Sequence, residues 1–279
     1  MPGKLMVVGT PIGNLGDLSP RAQQTLAECD FIAAEDTRVT LRLLNHFGIK
    51  KPMISYFEHN KLERGEIICS RIEAGETCAL VTDAGMPAIS DPGELLVAQC
   101  AARGIEVAAV PGPSAVITAL AVSGLPTGRF TFEGFLSTAK KSRRDHLEQL
   151  RDERRTMVFY EAPHKLAATL KDLERTFGPS RRIALVRELT KLHEEAIRTT
   201  LGEACERFAA GAPRGEFVLV LEGASEEPER LCATPEDAVA LAKELCAQGM
   251  SASEAAKRAA RESGVRKGEI YAALVSPGE

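Results

Sequence analysis

A glycine-rich turn follows the first predicted strand of this 279-residue chain. Its glycines, Gly9, Gly13 and Gly16, have the spacing G-x-x-x-G-x-x-G. A dinucleotide-binding loop has the spacing G-x-G-x-x-G, and Pro11 stands here in place of its second glycine. Proline has no N–H to donate to a phosphate and cannot adopt a positive φ. The turn therefore argues against a pyrophosphate site and leaves open a tight turn that binds no ligand.

Two further loops contain residues that could border a ligand. Residues 81–93, VTDAGMPAISDPG, combine two aspartates with two prolines and two glycines after the fourth predicted strand. After the fifth strand, Pro113 suits the first turn of a helix, and Ser114 and Ala115 are small enough for a close approach. A ligand bordered by carboxylates, without a phosphate-binding lysine, should not be strongly anionic. A partly cationic ligand such as S-adenosylmethionine fits this chemistry.

Composition limits the class of protein. Hydrophobic residues make up 44% of the chain and charged residues 27%, which is typical of globular domains. No membrane span or signal peptide is predicted. Seven scattered cysteines predict reduced thiols in a cytoplasmic protein and no zinc site; they are residues 29, 69, 78, 100, 205, 232 and 246.

The order of the predicted elements indicates an α/β fold with two domains. Five strands alternate with amphipathic helices over residues 1–122, which predicts a parallel sheet with ligands at the carboxyl ends of its strands. After a Gly- and Pro-rich break, residues 125–224 predict a second α/β domain with a mixed sheet. Residues 234–275 predict three short helices, arranged either as a helix-turn-helix or as a cap on the second domain.

Several segments, taken together and in order, resemble one family over essentially the whole chain. They are VVGTPIGNLGDLSPRA, AAEDTR, EHN, VTDAGMPAISDPG, PGPSAVITAL, EGFL, FYEAPHK and VRELTKLHEE. The family is the bacterial 16S ribosomal RNA (cytidine-2′-O)-methyltransferases of the tetrapyrrole methylase (class III methyltransferase) superfamily. The glycine turn and PGPSA are shared across the superfamily, whereas EDTR, DAGMPAISDPG, FYEAPHK and RELTK resemble the RNA-modifying members.

The resemblance implies that S-adenosylmethionine binds in a cleft between the two domains. The matching positions are Ile12, Asp83, Gly85, Met86, Pro87, Ile89, Ser114, Ala115, Phe135, Tyr160, Glu161 and Ala162. Tetrapyrrole-modifying members usually have Gly-Asp-Pro where this chain has Gly85-Met86-Pro87. That difference argues against a porphyrinoid substrate.

Methyl transfer to a ribose 2′-hydroxyl calls for aligned reactants and for a group that removes a proton. We predict that Arg38, Glu161 and Arg187 line the reacting centre and that His59 or Glu161 is the base. The alternative is that these charged residues form structural ion pairs and that His59 is an ordinary hydrogen-bonded side chain.

An RNA substrate requires a basic surface, although the net charge of the chain is −4. Residues 139–156 contain seven basic and four acidic side chains, and the tail adds further basic residues. The predicted RNA-binding residues are Lys140, Lys141, Arg143, Arg144, Lys257 and Arg258. An ordinary solvated helix face is the alternative. Because no aromatic stacking platform is evident, we expect the folded small ribosomal subunit, and not naked RNA, as the substrate.

The leading hypothesis is therefore an rRNA methyltransferase, which the resemblance implies to be a homodimer. A tetrapyrrole C-methyltransferase is the second hypothesis, and a non-catalytic ribosome-assembly factor is the third. An NAD enzyme is the fourth, because Glu35 and Asp36 end the second strand where a ribose-binding acid would lie.

Overall fold

The computed structural model describes residues 3–209, 213, 215–225 and 234–275. They belong to two compact units, residues 1–222 and 223–279. Both sheets lie in the first unit, so the domain boundaries expected near residues 122 and 125 stay a prediction. None of the described helices is long and apolar enough to cross a membrane. The described cysteines are free thiols, and Cys232 lies outside the described residues.

The first sheet is entirely parallel, as the alternating pattern predicts. Its spatial order is β3-β2-β4-β1-β5. A parallel sheet is covered on both faces, which explains why the central strands are continuous apolar runs. The strands are β1 (Lys4–Val8), β2 (Phe31–Ala34), β3 (Met53–Ser55), β4 (Cys78–Val81) and β5 (Glu106–Val110).

Helices follow the strands of this sheet and begin at polar caps. Ser19 caps the first helix, Asp36 the second and Ser114 the fifth, each by accepting a backbone N–H from the first turn. A short 3-10 turn, Leu15–Asp17, precedes the first helix. The helices are α1 (Pro20–Glu28), α2 (Thr37–His46), α3 (Lys61–Glu73), α4 (Gly93–Ala102) and α5 (Ala115–Ser123).

The second sheet is mixed, which confirms the prediction for this half of the chain. Its order is β6-β7-β10-β8-β9, with β6 and β7 parallel and the other neighbours antiparallel. The strands are β6 (Phe130–Phe135), β7 (Thr156–Glu161), β8 (Arg182–Arg187), β9 (Glu195–Thr200) and β10 (Phe217–Leu221). Its helices are α6 (Lys140–Gln149), α7 (Leu166–Phe177) and α8 (Leu201–Arg207).

The second unit contains the three helices predicted for the tail, α9 (Pro235–Ala247), α10 (Ala252–Ser263) and α11 (Lys267–Val275). Alanines dominate its small core, together with Leu245 and Ile270. Ser251 caps α10, whereas Ser253 lies inside the helix and accepts a hydrogen bond from Lys267 Nζ. The two arrangements expected for these helices, a helix-turn-helix or a cap on the second predicted domain, both stay predictions.

A reciprocal capping box begins α9, and its loss should destabilise this unit. Asp237 N donates to Thr234 Oγ1 at 3.2 Å, and Thr234 N donates to the Asp237 carboxylate at 3.1 Å. We expect Thr234→Ala to cost about 1 kcal/mol of unfolding free energy. Calorimetry of the full chain measures the effect, and Thr234→Ser keeps the hydroxyl as its control. Equal destabilisation by both variants would contradict a capping role.

Candidate active site

A cavity of about 400 Å³ lies within the first unit, at the carboxyl ends of the parallel strands. Its walls come from both sheets: the loops after β1, β2 and β4 and the start of α5 on one side, and β6, β7, β8 and β10 with their ends on the other. The volume falls in the range of roughly 300–1,000 Å³ that is usual for small-molecule sites. Ligands of open α/β sheets bind at this end of the strands.

Close backbone packing explains the glycine-rich turn after β1. Gly9 lies against Gly112, and a Cβ on either glycine would come within 3 Å of backbone atoms of the other. Thr10 and Gly85 exchange two backbone hydrogen bonds of 2.9 and 3.1 Å. These contacts hold the loops after β1, β4 and β5 together at the cavity. Gly9 is therefore needed for the crossing of two backbones.

The loop after β4 has a strained conformation held by a carboxylate. Ala88 and Ser90 adopt positive φ angles of 69° and 65°, which non-glycine residues rarely do. Asp91 Oδ1 accepts the backbone N–H groups of Ala88 at 3.0 Å and Gly93 at 2.7 Å. The half-exposed Ile89 between the strained residues lines the cavity. Strain of this kind is typical of ligand sites, where the surroundings fix the loop.

Carboxylates dominate the charge of the cavity wall. Among the described lining residues there are six acidic side chains and one lysine, and Lys191 is paired with Glu188 at 2.9 Å. The acidic side chains are Glu35, Asp83, Asp91, Glu161, Glu188 and Glu216. Burial raises the pKa of Asp91, and burial together with the Glu35 charge raises the pKa of Asp83. Such a wall favours a ligand that carries positive charge.

Aromatic rings form the apolar part of the wall. Tyr160 packs against Phe135 with ring centroids 5.4 Å apart and against Phe132 at 5.0 Å. Phe135 is 61% exposed, so its ring is available to a ligand. Burial raises the pKa of Tyr160. A planar apolar group could pack on this pair of rings.

The predicted cofactor positions converge on the cavity. Eleven of the twelve residues line the cavity, and they come from both sheets. The twelfth, Pro87, is buried and does not line it. Their binding role stays a prediction. Lys191 and Glu216 also line the cavity, although neither was predicted from the sequence. Lys191 stands in the quoted segment RELTK, whereas Glu216 has no such signal because β10 reaches the site only through its place between β7 and β8.

The four predicted catalytic residues differ in their relation to the cavity, and their catalytic roles stay predictions. Only Glu161 lines the cavity, and its buried carboxylate accepts hydrogen bonds from Ala162 N at 2.9 Å and from Thr169 Oγ1. Arg187 Nε is paired with Glu195 at 2.8 Å, and the exposed His59 stacks edge-on with Phe57. Arg187, His59 and Arg38 lie outside the lining set.

The predicted RNA-binding residues differ in how accessible they are. Lys140, Lys141 and Arg144 are exposed on α6. The Arg143 side chain is only 12% exposed, because it pairs with Asp172 at 2.6 Å and donates to Thr169 Oγ1. In the second unit, Lys257 is exposed and Arg258 pairs with Glu262 at 3.2 Å. Arg143 is therefore positioned to stabilise α6 against α7 and not to contact phosphate.

Arg38 controls the titration of its neighbour Asp36. The Arg38 side chain is 86% exposed and donates two hydrogen bonds, of 3.0 and 2.6 Å, to the Asp36 carboxylate. This pairing lowers the pKa of Asp36 to about 2. The stabilisation it gives is present above the unfolded-state pKa of about 3.9 and is lost as the pH falls through about 2.

We expect Arg38→Gln to raise the pKa of Asp36 toward its ordinary value, because the side-chain hydrogen bonds are the largest cause of the shift. A carboxyl-carbon NMR titration measures this. Arg42→Gln removes an exposed arginine from the same helix and is the control. The assignment is wrong if the two variants give the same pKa for Asp36.

Comparison with known proteins reveals full-length relatives. Residues 4–205 match the family Tetrapyrrole (Corrin/Porphyrin) Methylases. A ribosomal RNA small subunit methyltransferase I from Synechocystis sp. is 47% identical over 269 residues, covering 96% of each chain. The protein of that name from Xylella fastidiosa (strain Temecula1) is 47% identical over 272 residues, covering 97% of this chain and 98% of its own.

Solved structures share the fold at much lower identity. Uroporphyrin-III C-methyltransferase from Thermus thermophilus superposes with a TM-score of 0.56 at 19% identity, over 78% of this chain and 94% of its own. Cobalt precorrin-4 methyltransferase gives 0.57 at 16% identity, with coverage of 78% and 94%. The Thermus enzyme has also been solved with S-adenosylhomocysteine, and that structure gives 0.54 at 19% identity, over 78% of this chain and 97% of its own.

Proposed function

This chain belongs to the tetrapyrrole methylase family, and from that premise we propose that it methylates the RNA of the small ribosomal subunit with S-adenosylmethionine as methyl donor. The observation that carries the proposal is the 47% identity over 96% of the chain to small subunit rRNA methyltransferases. The solved tetrapyrrole enzymes are only 16–19% identical. We further infer that the acceptor is the ribose 2′-hydroxyl of a cytidine and that the substrate is the assembled subunit in the cytoplasm.

The cavity fits the methyl donor in size and chemistry. Its carboxylates complement a cationic sulfonium and an ammonium group, and Phe135 and Tyr160 offer an apolar surface to a planar base. Gly85, Ser114 and Ala115 contribute little bulk to the wall, which allows close approach of the ligand. When bound, S-adenosylmethionine supplies a methyl group already activated on a positively charged sulfur.

The chain itself has to align the reactants and handle charge. Asp91 fixes the loop that carries Ile89, so one wall is positioned before any ligand arrives. Rigid positioning of this kind accounts for much of the rate gain in transfer reactions. The exposed lysines of α6 offer phosphate contacts, which supply affinity without sequence choice. The 2′-hydroxyl is the group that distinguishes an RNA acceptor from DNA.

Methyl transfer to defined acceptors tests the proposal. Labelled S-adenosylmethionine is offered separately to unmodified small subunits, naked 16S RNA and a porphyrinogen, with fully methylated subunits as the control. We expect label only in the unmodified subunits, at a linkage that resists alkali. Label in the porphyrinogen alone would shift the function to tetrapyrrole methylation. Cofactor binding without label in any acceptor would favour a non-catalytic assembly factor.

The basic residues of α6 provide a second readout of the same assay. Lys140→Gln with Lys141→Gln should weaken binding of the subunit and reduce its salt dependence, whereas cofactor affinity should not change. Arg42→Gln with Lys50→Gln removes the same number of positive charges from exposed positions in α2 and shortly after it, and serves as a matched control for a generic charge effect.

A further inference from the structure

The acceptor hydroxyl belongs to a macromolecule that is too large to enter a cavity of about 400 Å³. A group that removes its proton must therefore lie where the cavity opens to solvent. The buried Glu161 is excluded, since its carboxylate already accepts from Ala162 N and Thr169 Oγ1. Glu188 is only half-exposed and is paired with Lys191. Asp91 is half-buried, and its Oδ1 accepts two backbone N–H groups of its own loop.

Asp83 meets the geometric requirement. It follows β4 directly after Thr82, lines the cavity and is exposed to solvent. Its Oδ1 accepts the backbone N–H of Asp36 at 3.1 Å, which fixes the carboxylate across the ends of β2 and β4. Within the described residues its second oxygen makes no hydrogen bond and remains available.

Glu35 and Glu216, the two other acidic candidates on the cavity wall, are less suited than Asp83 to act as the base. Glu35 lies beside Asp83 and, like Asp83, has one oxygen engaged, by Thr82 Oγ1 at 2.6 Å. It is only half-exposed, however, whereas Asp83 is exposed to solvent at the cavity wall. Glu216 is exposed on the opposite wall, and no hydrogen bond to a described residue fixes its orientation. A general base needs both a fixed position and a free oxygen within reach of the proton.

The charges around Asp83 favour proton uptake. The pKa of Asp83 is raised first by the partial desolvation of its carboxylate at the cavity wall, although the residue as a whole is exposed. The Glu35 charge is the second cause, and the Asp36 charge also raises the pKa. The Asp36 N–H and the Arg38 charge act in the opposite direction, and the Arg38 guanidinium is itself bound to Asp36. A carboxylate with a raised pKa is a better base because its proton affinity is closer to the working pH.

We propose that Asp83 is the catalytic residue that accepts the proton of the acceptor hydroxyl, an inference that rests on the proposed function. In this step the hydroxyl oxygen forms the new O–C bond to the methyl group, and its proton passes to Asp83 Oδ2. The S–C bond breaks and its electron pair stays on sulfur, which becomes a neutral thioether. This role is compatible with the place beside the cofactor that the family resemblance implies for Asp83, which stays a prediction.

Single-turnover methylation of unmodified small subunits over about pH 5 to about pH 9 tests this role. In the wild type we expect the rate to rise with pH, which is the acidic limb of the profile, and then to level off at a plateau. Asp83→Asn should lower the plateau about 100-fold and remove the acidic limb. Its affinity for S-adenosylmethionine, measured by calorimetry, should fall much less than the rate, because five other acidic side chains of the cavity wall remain. Asp83→Glu should recover part of the plateau rate and restore the acidic limb of the pH profile.

Glu106→Gln is the matched control, because it removes the same charge from the exposed amino-terminal end of β5, away from the cavity. It should keep the wild-type rate and pH profile. The proposal is overturned if Asp83→Asn keeps the acidic limb, or if it loses cofactor affinity but reaches the wild-type rate at saturation. If the wild type labels no RNA, the proposed function itself fails, which is a different result.

Discussion

Gly112→Ala is expected to destabilise the first unit and to disrupt methyl transfer. The new Cβ would lie 2.7 Å from Gly9 Cα and 2.9 Å from the Gly9 carbonyl carbon and oxygen. All three are backbone atoms, so no side-chain rotation can relieve the overlap. Overpacking of this kind costs about 1–3 kcal/mol.

The same substitution should act on function because it separates two loops of the cavity. Gly9 N donates to Val110 O at 3.1 Å, so a shift at Gly112 is transmitted to the start of the loop that carries Ile12. A misplacement of about 1 Å can lower a rate on the order of 100-fold. This loss can be separated from unfolding by measuring cofactor affinity and single-turnover methylation at a temperature where the variant is folded.

Gly128→Ala is the control for the close backbone contact between Gly9 and Gly112. A Cβ at Gly128 meets nothing within 4 Å, and the residue has no positive φ. This variant should match the wild type in unfolding free energy and cofactor affinity. The packing argument would be refuted by a Gly112→Ala protein as stable as Gly128→Ala.

Glu161→Ala is expected to have the second large effect. It should lower the free energy of unfolding more than it impairs proton transfer. Glu161 is 4% exposed, and it accepts hydrogen bonds from Ala162 N and from Thr169 Oγ1. Arg143 donates to the same threonine oxygen at 2.8 Å and pairs with Asp172. Loss of the carboxylate removes the acceptor of the Ala162 N–H and opens a small cavity, whereas Thr169 Oγ1 can still donate to Lys165 O at 3.2 Å. We expect a cost of roughly 2 kcal/mol.

A double-mutant cycle with Thr169→Val identifies the cause. If the hydrogen bond is the source of the loss, the two substitutions together cost clearly less than the sum of their separate costs. The acidic limb of the methylation rate should be preserved in Glu161→Gln. Loss of that limb with unchanged unfolding free energy would instead support the catalytic role predicted from the sequence.

Local patterns in the sequence were sufficient for the order and type of the elements. Alternation of apolar strands with amphipathic helices predicts the parallel sheet, since each βαβ unit is defined within a short stretch of chain. The less regular spacing after residue 125 predicts a mixed sheet. The loops after β1, β4 and β5 could be placed at one site because parallel strands share one carboxyl edge.

The directions and partners of the charged side chains were decided by the tertiary structure. Arg187 faces Glu195 because the antiparallel register of β8 and β9 sets these two residues opposite each other. Glu216 reaches the cavity because β10 inserts between β7 and β8. Asp83 gains its fixed orientation from a backbone N–H 47 residues away in sequence.

Patterns within the sequence were thus enough to predict which elements form and at which edge of the first sheet a ligand binds. They did not determine which carboxylate is free to react. A hydrogen bond between distant segments depends on strand register and packing, and a periodic pattern within one segment carries no information about either. The free oxygen of Asp83 and the occupied carboxylate of Glu161 are the two consequences of that packing for this site.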